Sequence, residues 1–216
     1  MRRTARAGLL FAILLTIALN AAVGGAVGPT IVKRVNDGDT VELADGRRVR
    51  YIGVNAPEID HAAHTAQPFG FEARAFNAGL VEGKPVRLEY DVEHRDGYGR
   101  TLAYVFLPDG TMVNERLLLA GLAYCLPRDP NTRYEDRLLA AQRRAMQEGH
   151  GMWRNWHERE GRYIGNAGSR RFHLASCPEA RHVSARNRVI FTKRWDAFRA
   201  GFAPAHECLP LGYLPD

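Results

Sequence analysis

The chain has 216 residues, 45% of them hydrophobic and 25% charged, values that exclude a chain unable to fold and leave room for one sizeable core plus a small extra module. Three cysteines (Cys125, Cys177 and Cys208) are too few for a disulfide-framed fold, though an exported chain could pair two of them and leave one thiol over. The formal charge of +6 is unevenly spread: residues 27–160 carry 18 basic and 20 acidic side chains, whereas residues 161–200 carry nine and two. A basicity argument for nucleic-acid binding therefore applies to the tail and not to the main domain.

In chain order, Arg2, Arg3 and Arg6 precede a charge-free stretch from Ala7 to Val32, with the apolar run GLLFAILLTIAL over 8–19 and then small residues. Residues 1–26 read as a signal peptide cut after Ala22 or Ala26, with an uncleaved membrane anchor as the alternative. Either way the working part is expected outside the cytoplasm, secreted or periplasmic. TIVKRV (30–35), TVEL (40–43) and RVRYIGV (48–54) predict three strands separated by the turns NDGD and ADG. Phe69, Ala73, Phe76 and Leu80 predict a helix over 67–81, stopped by Gly83. KPVRLEYDVE (84–93) and RTLAYVFL (100–107) predict two more strands around HRDGYG. Helices are expected over 113–123 and 133–148, and Trp153 and Trp156 close the domain. Five strands with a helix after the third predict an α+β, mainly β, architecture: a five-stranded Greek-key barrel of the OB type with flanking helices, over 27–160.

Several polar residues in this scaffold suit phosphodiester cleavage, which needs charge on the phosphoryl oxygens, an activated water and usually a metal. Asp37-Gly38-Asp39-Thr40 offers a carboxylate at a tight turn, suited to a hard cation. Arg50 lies in the third strand, and Glu58 follows Asn55-Ala56-Pro57 past its end, where a rigid proline can hold it near a water. Asp96-Gly97-Tyr98-Gly99-Arg100 presents a second arginine at the start of the fifth strand. Each piece alone also reads as an ordinary turn or surface residue. Tyr98 and Tyr124 are candidates to stack a base or contact a phosphate, with core packing the alternative for each. His61 and His64 read as solvated loop residues, and Cys125 as buried.

Together, VNDGDTVEL, VRYIGVNAPE, FGFEARAF, RDGYGRTLAYVF, MVNERLLLAGLAY and GMW resemble the staphylococcal nuclease (thermonuclease-like) family over about residues 30–156. The resemblance implies an OB-fold barrel that cleaves DNA or RNA with calcium; a monomer is expected. It implies that Asp39 is a calcium carboxylate, that Ala56 coordinates through its carbonyl, and that Arg50 grips the scissile phosphate. It further implies that Glu58 is the general base and that Arg100 stabilises the transition state. Asn55 departs from the pattern, because the family commonly has a second calcium carboxylate there. Weaker calcium binding is expected, and the alternative is a nucleic-acid-binding module that has lost turnover.

From Arg162 to Pro210 the sequence is basic and contains His and Cys, and it resembles the Ada-type zinc-binding module. Here the pattern is His173-x-x-x-Cys177 with a later Cys208, and Ala205 stands where a cysteine is expected. His206 next door would complete a His2Cys2 zinc set. A Cys177–Cys208 disulfide is the competing staple. Such a module is expected to need one of these staples, and its charge to contact nucleic acid.

Overall fold

The computed structural model describes residues 26–158, 161–205 and 209. The N-terminal charge-free run, His206 and Cys208 lie outside the described residues. Among the described residues no helix is long and apolar enough to cross a membrane.

Five strands close a barrel in the order β1 (Ala26–Asp37), β2 (Thr40–Leu43), β3 (Arg48–Tyr51), β8 (Thr101–Phe106) and β7 (Pro85–Glu89). All neighbours are antiparallel except β3 and β8, which run parallel with Arg50 opposite Leu102. Strand β1 serves two partners because register shifts near Val32–Arg34 and Val27–Thr30 bend it from β2 onto β7. Val32, Val35, Val41, Leu43, Val49, Val86, Leu88, Ala103 and Val105 fill the interior. Their alternation with exposed neighbours is the period of two that the sequence shows.

The third predicted strand is interrupted. Arg48–Tyr51 belongs to the barrel, but β4 (Gly53–Asn55) turns out of it and pairs antiparallel with β9 (Tyr124–Leu126). Gly53 makes the break with φ +77°, and a Cβ there would lie 2.6 Å from the Leu138 side chain. The buried Asn114 holds the corner: its Nδ2 donates to the Ile52 carbonyl at 2.9 Å, and its Oδ1 accepts from the Val105 amide at 2.9 Å. A small hairpin, β5 (Ile59–Asp60) with β6 (Thr65–Ala66), follows Glu58 and carries exposed His61 and His64. Helix α1 (Gly70–Val81) starts after Phe69, whose φ of 67° ends the extended approach, and Asn77 accepts a hydrogen bond from the Tyr51 hydroxyl at 3.1 Å. Helices α2 (Val113–Leu119) and α3 (Glu135–Glu148) complete this part.

The tail folds as a four-stranded sheet, β12-β10-β11-β13, from β10 (Tyr163–Asn166), β11 (Arg171–Leu174), β12 (Arg188–Phe191) and β13 (Ala203–Pro204), with α4 (Arg194–Arg199) before β13. Its stability does not rest on a staple alone. Tyr163, Phe172, Phe198 and Phe202 share one core with Tyr124, Ala145, Met146, Met152 and Trp153 of the preceding part. The Phe198 ring meets Trp153, Phe172 and Tyr124 edge-to-face at 5.1, 5.3 and 5.7 Å. Gln142, fully buried, stitches the two parts by accepting from the Cys125 amide and donating to the Phe198 carbonyl.

Candidate active site

The site forms where the turn between β1 and β2 meets the β4–β9 pair. Gly38 permits the approach: a Cβ there would stand 2.4 Å from that of Ala56 and 2.7 Å from that of Ala73. Asp39 is thereby buried, at 3% exposure, against the backbone of the next segment. Its Oδ2 accepts from the Ala56 amide at 2.7 Å and Oδ1 from the Thr40 hydroxyl at 3.1 Å. Burial pushes the carboxyl up to about 6; Arg50 opposes that rise and neighbouring Asp37 adds to it. Asp37 itself accepts from the Asp39 amide at 3.0 Å.

Arg50 is the centre of the network. One guanidinium nitrogen, Nη1, donates to the Tyr51 and Val54 carbonyls at 2.6 and 2.7 Å, so the departure of β4 from the barrel shapes its seat. The other, Nη2, reaches Asn55 Oδ1 at 2.8 Å and Asp39 Oδ2 at 3.0 Å. Asn55 Nδ2 donates to the Ala56 carbonyl at 3.1 Å and to the Tyr124 hydroxyl at 3.0 Å. Tyr124 is buried, so its ring offers no face to a base; its hydroxyl supports Asn55 from beneath. The exposed Glu58 lies at the rim, close enough to act electrostatically on that hydroxyl, and its carbonyl accepts from the Gln67 amide at 2.9 Å.

Arg100 is anchored within its own turn. Its Nε bonds Asp96 Oδ2 at 2.7 Å, its amide donates to Asp96 Oδ1, and its guanidinium lies 5.4 Å from the centre of the Tyr98 ring. Partial burial pushes the Asp96 carboxyl up, but the bonds from Arg100 outweigh this and hold it below its usual range. Tyr98 is 81% exposed, an aromatic ring open to solvent beside Arg100.

The donor set suits a hard cation. Asp39, Asn55 and Ala56 are joined in one hydrogen-bonded network that carries a carboxylate, an amide oxygen and a backbone carbonyl, and a buried carboxyl whose ionisation is opposed by burial and by a like charge gains most from a dication. Among the described residues no group of three or more His, Cys, Asp or Glu stands at metal-binding spacing, so carbonyl oxygens would have to complete the shell. In the tail, Cys177 is disulfide-bonded and cannot serve as a zinc thiolate, while His173 lies on β11 beside it. Cys125 is buried and free, as its apolar context predicts.

Residues 48–155 match the family of staphylococcal nuclease homologues. The chain belongs to this family. The thermonuclease of Staphylococcus hyicus is 42% identical over 127 residues, covering 57% of this chain and 75% of that protein. The thermonuclease of Staphylococcus intermedius is 43% identical over 126 residues, covering 57% and 74%. Endonuclease YncB of Bacillus subtilis is 38% identical over 125 residues, covering 56% and 59%. Arg50, Asn55, Glu58, Arg100 and Tyr124 lie inside the stretch matched to the nuclease family; Asp39 precedes it and the tail follows it. Sequence reasoning missed Asn55 and Tyr124 as partners, because their pairing depends on β4 leaving the barrel.

Proposed function

We propose that this member of the nuclease family is an exported, calcium-dependent endonuclease that hydrolyses phosphodiester bonds of DNA and of RNA. The carrying observation is the shared network of Asp39, Arg50 and Asn55, with Glu58 at its rim. Asp39, Asn55 and the Ala56 carbonyl would hold the calcium, which when bound supplies positive charge at the phosphoryl oxygens. Arg50, seated by two carbonyls, turns Nη2 from Asn55 to a phosphate oxygen, exchanging a neutral acceptor for an anionic one. Glu58 takes a proton from a water as that water's oxygen bonds phosphorus. The opposite P–O ester bond breaks, Arg100 neutralises the charge that develops, and the departing oxygen takes a proton from solvent. Tyr98 offers its exposed ring to a base.

Export is supported by the N-terminal charge pattern and by the disulfide at Cys177, a bond at home in oxidising compartments. Cleavage after Ala22 leaves β1 whole, whereas cleavage after Ala26 removes its first residue. The disulfide also favours a covalent staple over zinc in the tail.

One observation favours the alternative of a binder without turnover. The Asn55 Nδ2 donates to the Ala56 carbonyl, the oxygen that a cation would need, so the amide satisfies internally what a carboxylate would leave open. Incubation with supercoiled circular DNA and calcium separates the two. An endonuclease converts it to nicked and linear forms, and a binder retards it intact.

A further inference from the structure

Arg171 stands where the tail meets the catalytic pocket. It opens β11, faces Ala203 in the parallel β11–β13 ladder, and donates from Nη1 to the Pro204 carbonyl at 2.9 Å. Strand β13 packs on β9, whose Tyr124 is the register partner of Asn55. The guanidinium acts electrostatically on the Tyr124 hydroxyl, opposite in sign to Glu58 and Asp39, which places all three near it. It is half-buried, and among the described residues no carboxylate pairs with it. Its chain neighbour Arg170 differs, being bound to Glu135 at 3.0 Å. A cation partly withdrawn from water, with no carboxylate partner among the described residues, attracts an anion.

Arg171 also lines a groove of about 360 Å³ together with Asn166, Ser169, His173, Glu179 and His182. That volume admits a nucleotide. Amide, hydroxyl and imidazole groups around an arginine are the donors that phosphate and sugar oxygens take.

We propose that this groove is a binding subsite for single-stranded nucleic acid, in which Arg171 holds a phosphate neighbouring the scissile one. The subsite rests on the nuclease reading of the pocket beside it. It gives the tail a role in substrate positioning: the tail shares its core with Trp153 and docks Arg171 at the rim of a barrel region whose own net charge is near zero. Glu179, on the groove wall and 3.2 Å from His182, tempers the anion's attraction.

The test is binding of a fluorescent single-stranded DNA oligonucleotide to the full chain in chelator, across a salt series, beside its cleavage with calcium. Arg171→Gln is expected to weaken binding about tenfold and to reduce the salt slope by about 0.7, the value for one lost phosphate contact on a single strand. Arg171→Lys should restore most of the slope. Glu179→Gln, on an exposed side chain that folding does not need, should tighten binding. The KM for the oligonucleotide should rise in Arg171→Gln, with kcat nearly kept. Unchanged affinity and slope in both Arg171→Gln and Glu179→Gln, with cleavage intact, overturn the subsite and leave the nuclease reading standing. Binding with the expected slope changes but no cleavage in any variant overturns the nuclease reading and leaves the subsite.

Discussion

Asn55 and Tyr124 face each other across the β4–β9 pair, and the amide of one donates to the hydroxyl of the other at 3.0 Å. This bond fixes the amide so that its oxygen meets Arg50 and its nitrogen the Ala56 carbonyl. The cation site is thus built around a neutral side chain, with Asp39 as its buried charge.

Replacing that neutral group makes the first prediction. Asn55→Asp places a second carboxylate beside Asp39 and frees the Ala56 carbonyl. Calcium affinity is expected to rise on the order of tenfold, since charge count is a main lever on such sites. Without calcium the same variant should melt lower than the parent, because two like charges then face each other. Calorimetric titration and melting curves with and without calcium read both effects; equal affinity in the two proteins would remove Asn55 from the site.

Arg50→Ala removes three hydrogen bonds and the ion pair to Asp39, and leaves the Tyr51 and Val54 carbonyls short of a donor. Stability should fall by about 3 kcal/mol, the usual consequence of breaking a buried ion pair from one side. Turnover should fall by roughly 10²–10³-fold, as for loss of one transition-state donor. Urea denaturation and cleavage kinetics separate the two losses.

Asp39 predicts a pH dependence in the metal-free protein. Burial raises its folded carboxyl from 3.8 to about 6. Between these values the folded state holds a proton that the unfolded chain has released, so the stabilisation is complete below pH 3.8 and disappears as pH rises through about 6. In chelator, Asp39 should therefore contribute a loss on the order of 2 kcal/mol from pH 4 to 7. The slope should flatten in Asp39→Asn, which denaturation at several pH values will show.

Gln142 joins the barrel part to the tail through the Cys125 amide and the Phe198 carbonyl. Gln142→Leu leaves both buried groups unpaired and should cost about 2–4 kcal/mol. A single lowered transition is expected, because the two parts share one aromatic core; two separate transitions would mean that they fold independently.

The legible part of this fold was local. The turns NDGD and ADG, the alternating TVEL and the apolar spacing in 70–81 carry their own conformational preference, and the barrel strands stand where those signals put them. The departure of β4 was not legible, since Ile52-Gly53-Val54 reads as continuous strand and only Asn114 and Leu138, distant in sequence, make the break. The candidate site divides the same way. Asp39, Arg50 and Glu58 drew attention as a set through the family resemblance, each being ordinary alone, whereas the support from Tyr124 depends on a strand pairing 69 residues apart. The tail read as a stapled appendage because its aromatic residues show no helical or strand period, and their partners Met146 and Trp153 belong to the preceding part.

The most direct test is the initial rate of single-stranded DNA cleavage, titrated with calcium against chelator, for the parent and for Glu58→Gln. The account predicts calcium-dependent cleavage in the parent and a loss of roughly 10²-fold or more in Glu58→Gln, in the range of a general base, with DNA affinity kept. Cleavage that persists in chelator, or an unimpaired Glu58→Gln, would contradict it.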